Sequence, residues 1–475
     1  MKSQQYNTDF IKSALTLTNR FNDIAAIKLK VSEQNQLIGV SVKKILFSEM
    51  DNWSYSVANE NIAHVSGKYF SIDGIKVETN WGYVSTWEQP IINQPEIGYL
   101  GFITKIFDGV LHFLLQAKIE PGNVNNVQLS PTLQATKSNY TQVHQGNKPA
   151  FLDYFIHATS QQVLVDQLQS EQGARFLRKR NRNIIIRIEE ELEVPDNFMW
   201  LTLAQIKRLM REDNIVNMDT RTVISGIPYG TADAAASEYF GEIYPQIKIP
   251  SVAAKLLSSI LQKDGALNTF DDIINFITKK KCFYDLSVRK IPLCSIHDWV
   301  MEPDCIRQTD NKYFKVIATK VEIENREVVS WCQPMIEPAQ EGICAFVCKE
   351  IGGVIHFAVQ AKLEAGNFDI IEFAPTVQCL TGSYKNEISY KLPFLEYVLK
   401  ATPDQIIYDT LQSEEGGRFY REQNRNMLVL AGDEISDSLP DNYIWMTLNQ
   451  LQTFIKFNNY INIQARSLIA AINFI

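Results

Sequence analysis

Apolar positions along this chain keep two different periods. Val110–Lys118 alternates loosely and is rich in β-formers, so it predicts a strand ending in the polar run QAK. Gln128–Thr136 predicts a second strand, and Ile184–Ile188, apolar except for Arg187, has the pattern of a largely buried one. Helical spacing covers Phe10–Leu29, Ala253–Lys280 and Phe151–Ser170, the last continuing to about Lys179. Thr202 with Gln205, and Thr447 with Gln450, set a hydroxyl and an amide three residues apart before apolar-periodic segments, as in a capping box. Strands separated by helices in this way predict an α+β unit, a mixed sheet flanked by helices.

The unit occurs twice. Val110–Asn123 (VLHFLLQAKIEPGN) and Val354–Asn367 (VIHFAVQAKLEAGN) share nine of fourteen positions, and Gln169–Asn183 (QSEQGARFLRKRNRN) and Gln412–Asn426 (QSEEGGRFYREQNRN) share ten of fifteen. Both pairs are about 244 residues apart, and fainter echoes such as WEQPII with WCQPMI keep the same order. A tandem duplication is therefore expected. Residues 1–225 form the N-terminal repeat, 226–252 a connector rich in Gly, Pro and Ala, and 253–475 the C-terminal repeat.

Composition narrows the function. A net charge of −8 argues against a general nucleic-acid surface, so an anionic ligand needs a local basic cluster. All seven cysteines lie in the second half, an odd and lopsided set that makes a poor disulfide framework and suits a reducing cytoplasm. Cys344 and Cys348 lack partners for a zinc site, and no metal is expected. No apolar run approaches the roughly 20 residues needed to span a bilayer. Neither a membrane nor a nucleic acid is an expected partner.

Two constellations could carry chemistry. Gln116, Lys118 and Glu120 fall on one face of the first strand, with Asn123 just beyond, and Gln360, Lys362, Glu364 and Asn367 repeat the set. A solvated face with a cross-strand ion pair would look the same. Glu171, Arg175, Arg178 and Arg182 are spaced four, three and four, one stripe if the helix persists that far, and Glu414, Arg418, Arg421 and Arg425 reproduce it. Such a stripe also suits a salt-bridged surface, but it abuts Gln169, Ser170, Asn181 and Asn183, all kept in the other repeat, and arginine forks suit phosphate.

QAKIEPGN, QLSPTLQAT, SNYTQVHQG and QSEQGARFLRKRNRN resemble the motifs of the NDP-hexose 2,3-dehydratases of deoxysugar biosynthesis, over almost the whole chain. The resemblance implies a homodimer whose two halves are each Nudix-like, without the Nudix glutamate helix. It implies a dTDP-linked 4-keto-6-deoxyhexose as substrate, loss of the C3 proton and the C2 hydroxyl, and a 3,4-diketo product passed to a downstream 3-ketoreductase. The 4-ketone itself acidifies C3, so no cofactor is expected, and no Gly-rich dinucleotide fingerprint is present.

On this reading the catalytic candidates are Lys118, Glu120, Tyr140 and His144, with His144 or Tyr140 as the acid–base group and Lys118 facing the developing enolate. Arg175, Arg180 and Arg182 are candidates for the diphosphate and Trp81 or Trp87 for the base. Gln116, Asn123, Gln134, Thr136, Asn139, Gln169, Ser170, Glu171 and Asn181 complete the expected substrate site.

The second repeat keeps Trp331, Gln360, Lys362, Gln412, Arg418 and Arg425 but has Ala374, Leu380, Ser383, Glu422 and Gln423 where the first has Ser130, Thr136, Asn139, Lys179 and Arg180. It is expected to hold a nucleotide-like ligand or to scaffold the dimer without catalysing. A 4-keto-sugar epimerase or isomerase, or a non-catalytic nucleotide-sugar binding protein, are the competing functions.

Overall fold

A computed structural model describes residues 2–137, 148–230, 251–324, 328–380 and 392–475. Two seven-stranded mixed sheets dominate it. In the first, Val110–Ile119 pairs antiparallel with Gly98–Phe107, which lies parallel to Arg180–Arg187, itself antiparallel to Val163–Ser170. Phe198–Thr202, Val127–Ser130 and Leu133–Ala135 complete it. The second repeats the plan around Val354–Lys362, Gly342–Ile351 and Gln423–Ala431. The architecture is thus mixed α and β, built twice.

Two five-stranded sheets exchange strands between the repeats. Val40–Ile45 pairs antiparallel with Phe314–Ile323 of the second half, and Leu286–Ile291 pairs antiparallel with Ser71–Thr79 of the first. Lys290 reaches back to Asp73, Nζ to Oδ2 2.6 Å, across the second junction. A single apolar cluster runs from Phe10 to Phe474 and includes Phe102 and Phe113 of one repeat and Phe346 and Phe357 of the other. With so large a shared core, separating the halves would expose apolar surface at about 25 cal/mol per Å².

The helices follow their caps. The Thr202 hydroxyl accepts from the Gln205 N–H at 3.2 Å while Gln205 Oε1 accepts from the Thr202 N–H at 3.0 Å, and Thr447 with Gln450 does the same. Met218–Ser225 and Ile463–Ala471, capped by Asn217 and Asn462, pack against each other at the repeat seam. There the buried Arg221 donates to Ser467 Oγ at 2.8 Å and to the Ser413 carbonyl, and the buried Arg466 donates to Thr222 Oγ1 at 3.0 Å and to the Ser170 carbonyl.

One predicted helix does not form. Phe151–Ser170 and its extension to Lys179 contain only the short helix Leu152–Ile156, and Val163–Ser170 is a strand. Val163 and Val165 are β-branched, and pairing with Arg180–Arg187 outweighs the helical spacing. Arg178 sits at φ 48°, in a turn. The stripe of Glu171, Arg175, Arg178 and Arg182 is therefore not a helix face: Glu171 and Arg175 are buried, Arg178 is exposed, and Arg182 lies on a strand.

The opening helical stretches also divide, into Lys2–Leu15 with Ile24–Leu37 and Ser251–Leu261 with Phe270–Phe283. Gln128–Thr136 becomes two short strands rather than one.

Candidate active site

Gln116, Lys118 and Glu120 share one face of the Val110–Ile119 strand and its end, and that face lines a cavity of about 820 Å³. The volume lies within the usual range for small-ligand sites, about 300–1,000 Å³. Gln134 and Thr136, from the end of the Leu133–Ala135 strand, and Glu171 with Asn181, from neighbouring strand ends, join the wall. Strand pairing fixes these positions, because Asn181 is in register with Gly98 and Tyr99 is opposite Ala135.

The carboxylates are held by amides. Gln134 Nε2 donates to Glu120 Oε1 at 2.6 Å, and Asn181 Nδ2 donates to Glu171 Oε1 at 2.6 Å while its Oδ1 accepts from the Gly98 N–H at 3.1 Å. Burial pushes the Glu171 carboxyl up, opposed by Lys179, Arg466 and the Asn181 bond. Lys179, whose ammonium donates to the Glu96 carbonyl, is itself lowered by burial.

The cavity is completed from the second repeat. Trp331, Gln333, Glu415 and Arg418 form its other wall. Trp331 Nε1 donates to Gln333 Oε1 at 2.9 Å, and Gln333 Nε2 donates to the Gly417 carbonyl at 2.7 Å, which clamps the arginine loop on the Ser330–Pro338 strand. Arg418 stacks over Phe70, 4.2 Å from the ring centre. The EPGN turn of the first repeat docks on this loop: the Gly122 N–H donates to the Gly416 carbonyl and the Arg421 N–H to the Gly122 carbonyl, each at 2.7 Å. The cavity thus presents two ammonium groups, a guanidinium, two indoles, an imidazole and several carboxyls around one volume.

A sequence profile for the NDP-hexose 2,3-dehydratase family matches the chain twice, over residues 25–227 and 270–472. The chain belongs to that family. It is 42% identical over 469 residues to a dTDP-4-dehydro-6-deoxy-α-D-glucopyranose 2,3-dehydratase of Saccharopolyspora spinosa, covering 98% of this chain and 94% of that one. Proteins of the same description from Amycolatopsis orientalis and Streptomyces violaceoruber are each 38% identical, over 94% and 95% of this chain and 89% and 98% of theirs.

In this dehydratase-family chain the exchange also works in reverse. Arg175 stacks over Phe314 at 4.1 Å and lies among Glu422, Glu364 and Glu414 of the second repeat. Trp81 lies under Lys362 Nζ, 5.9 Å from the ring, and Trp87 packs near Ala365. The three side chains grouped with the first repeat's substrate site therefore sit against the second repeat, while Trp331 and Arg418, grouped with the second, line the first repeat's cavity. The repeats exchange strands, so each aromatic and arginine is carried across the seam.

The remaining candidates scatter. Arg182 holds Asp166 with both arms, at 2.7 and 2.6 Å, and Arg425 holds Asp409 in the same way. Arg180 stacks over Phe368 at 4.1 Å and lines, with Arg178, a separate hollow of about 300 Å³. Gln169 donates to the Ile455 carbonyl, Gln412 to the Met210 carbonyl, and Ser170 Oγ to Glu372, all at the repeat seam. Asn123 donates to the Asn126 carbonyl and shapes the EPGN turn. Gln360 is buried, and Lys362 donates to the Gln378 carbonyl at 3.3 Å. Asn139, Tyr140 and His144 fall outside the described residues.

Sequence reasoning missed Asp219, Glu415 and Gln333 in the cavity wall, and noted Lys179 only as a difference between the repeats. The signal available was that same comparison: Asp219 and Glu415 align with Gln464 and Gln172. Elsewhere, among the described residues, Glu302, Asp304 and Cys305 cluster closely enough for a metal, but Arg307 already holds both oxygens of Glu302.

Proposed function

We propose that this protein eliminates water across C2–C3 of dTDP-4-keto-6-deoxyglucose to give a dTDP-3,4-diketo-2,6-dideoxy sugar. Family membership over both repeats, with three relatives of that description matched along nearly their whole length, supports the reading most directly. The cavity fits its chemistry. An ammonium beside a developing 4-enolate stabilises it by several kcal/mol in a site shielded from water, and Lys118 is the lining group suited to that role. Arg418 suits the diphosphate and Trp331 the thymine, both supplied by the second repeat. Glu120, oriented by Gln134, is a further candidate for proton transfer. Tyr140 and His144 keep the place that the sequence alone gave them.

Several finer points belong to the same proposal. The repeats are Nudix-like, the chain works as a homodimer in the cytoplasm, and a 3-ketoreductase consumes the product. Seven free thiols suit a reducing compartment, and among the described residues no helix is long and apolar enough to cross a membrane. Residues 1–225 supply Lys118 and three of the carboxyls of the site, and 253–475 supply Arg418, Trp331 and the fourth carboxyl, Glu415.

The test is incubation with dTDP-4-keto-6-deoxyglucose and a 3-ketoreductase, with mass detection of the trapped product. Loss of one water by elimination and gain of two hydrogens in the trapping reduction are expected. Recovery of an isomer of unchanged mass would instead favour an epimerase, and no turnover would favour a binding protein.

A further inference from the structure

Four carboxyl groups meet at the cavity wall: Glu120, Glu171 and Asp219 from the first repeat and Glu415 from the second. Two of them recur in the duplicate as Glu364 and Glu414. The other two do not. Gln464 takes the second helical position after the Asn462 cap, as Asp219 does after Asn217. Gln172 stands in QSEQG where Glu415 stands in QSEEG. An amide keeps much of the shape and hydrogen bonding of a carboxyl but cannot take up and release a proton near neutral pH. The duplicate has therefore kept the two carboxyls bound by Gln378 and Asn424 and lost the titratable character of the other two.

We propose that Asp219 and Glu415, one from each repeat, are the acid–base pair of the elimination, with Glu415 taking the C3 proton and Asp219 protonating the departing C2 oxygen. This rests on the dehydratase reading above. In a D-gluco ring H3 and O2 lie on the same face, so two neighbouring carboxyls on one side of the sugar suffice.

Their surroundings separate the roles. Asp219 is 3% exposed, and burial together with the charges of Glu120, Glu171 and Glu415, opposed by Lys118, holds its carboxyl well above the usual range, which favours the protonated form an acid needs. Glu415 accepts the Gly417 N–H at 2.9 Å and lies beside Arg418, both of which favour its anion. Burial and the Glu120 charge still push it up to about 7, a suitable value for a base at neutral pH.

The step balances. The C3–H bond breaks with its proton passing to the Glu415 carboxylate, and its electrons are held as the 4-enolate near Lys118. As C2=C3 forms, the C2–O bond breaks and the oxygen leaves as water with the Asp219 proton. The pair begins and ends with one proton. The enol then loses its 3-hydroxyl proton as C2 gains one, which yields the diketone.

Asp219→Asn and Glu415→Gln should each lower the elimination kcat by at least about 100-fold, the lower end of general acid–base contributions. Affinity for dTDP, read by calorimetry, should stay within about threefold, since neither carboxyl is proposed to hold the nucleotide. In D2O, Asp219→Asn should still wash deuterium into C3 of unreacted substrate, because its base survives, whereas Glu415→Gln should not. Independently of any variant, wild-type kcat/KM should rise with pH through about 7 as Glu415 deprotonates. A flat profile between pH 5.5 and 8, or either variant within threefold of wild type, overturns the assignment and returns the acid–base role to Glu120, Tyr140 or His144. If wild type itself expels no water, the dehydratase reading fails, and this pair with it.

Discussion

The backbone N–H of Gly122 donates to the carbonyl of Gly416 at 2.7 Å, and this contact joins the two motifs most alike between the repeats. Its counterpart, Gly366 N–H to the Gly173 carbonyl, has the same length. EPGN and QSEEG were thus kept as partners across the seam rather than as two parts of one repeat's site.

A Cβ at Gly122 would overlap the Phe419 carbonyl, which is backbone and cannot swing aside. Gly122→Ala should cost about 1–3 kcal/mol, as over-packing typically does. The denaturant midpoint of the full chain reads it, and an unchanged midpoint would mean that the turn relaxes freely.

Lys118→Met keeps most of the side-chain volume and removes the charge. By the magnitude of lost oxyanion donors it should lower kcat about 100- to 1,000-fold with dTDP affinity nearly unchanged. Equal loss in kcat and in dTDP binding would instead make Lys118 a nucleotide ligand.

Arg418 and Arg175 occupy equivalent loops that face opposite repeats. Calorimetric titration with dTDP should find two sites per chain, one weakened at least tenfold by Arg418→Ala and the other by Arg175→Ala. One site per chain, lost with Arg418→Ala, would remove the ligand-binding role of Arg175 and its surroundings.

Arg221 is 1% exposed and bridges Ser467 and Ser413 of the other repeat. Arg221→Ala strips partners from buried acceptors and should destabilise by about 1–3 kcal/mol for each one left unsatisfied. Because the seam also positions Arg418, activity and melting temperature should fall together.

Asp73 accepts from Lys290, Ser71 and Asn61, which overcome the opposing effect of burial and hold its carboxyl below the usual 3.8. A depressed folded value means stability present in full above the unfolded pKa and lost as pH falls through the folded one. Asp73→Asn should therefore cost about 1–2 kcal/mol at pH 7 and flatten part of the stability loss below about pH 4. Unfolding curves at pH 7 and pH 3 compare the two; an equal difference at both would show that the aspartate charge is not what ties down the Leu286–Ile291 strand.

The sequence alone determined what is local or duplicated. Identity between Val110–Asn123 and Val354–Asn367 exposed the tandem repeat, alternation placed the strand that carries Lys118, and two capping boxes marked helix starts that the structure has. The family followed from motifs several residues long. Helical spacing misled between Phe151 and Lys179, because the competing pull came from pairing with the next strand, Arg180–Arg187, which that segment's own pattern does not show. Only the tertiary structure decided which copy completes which site. In a duplicated chain, an arginine loop meets an equivalent turn whether it folds onto its own repeat or onto the other, so the two outcomes have the same local sequence. The exchanged strands Val40–Ile45 and Leu286–Ile291 resolve that degeneracy, bring Arg418 and Glu415 to Lys118, and carry Arg175 away.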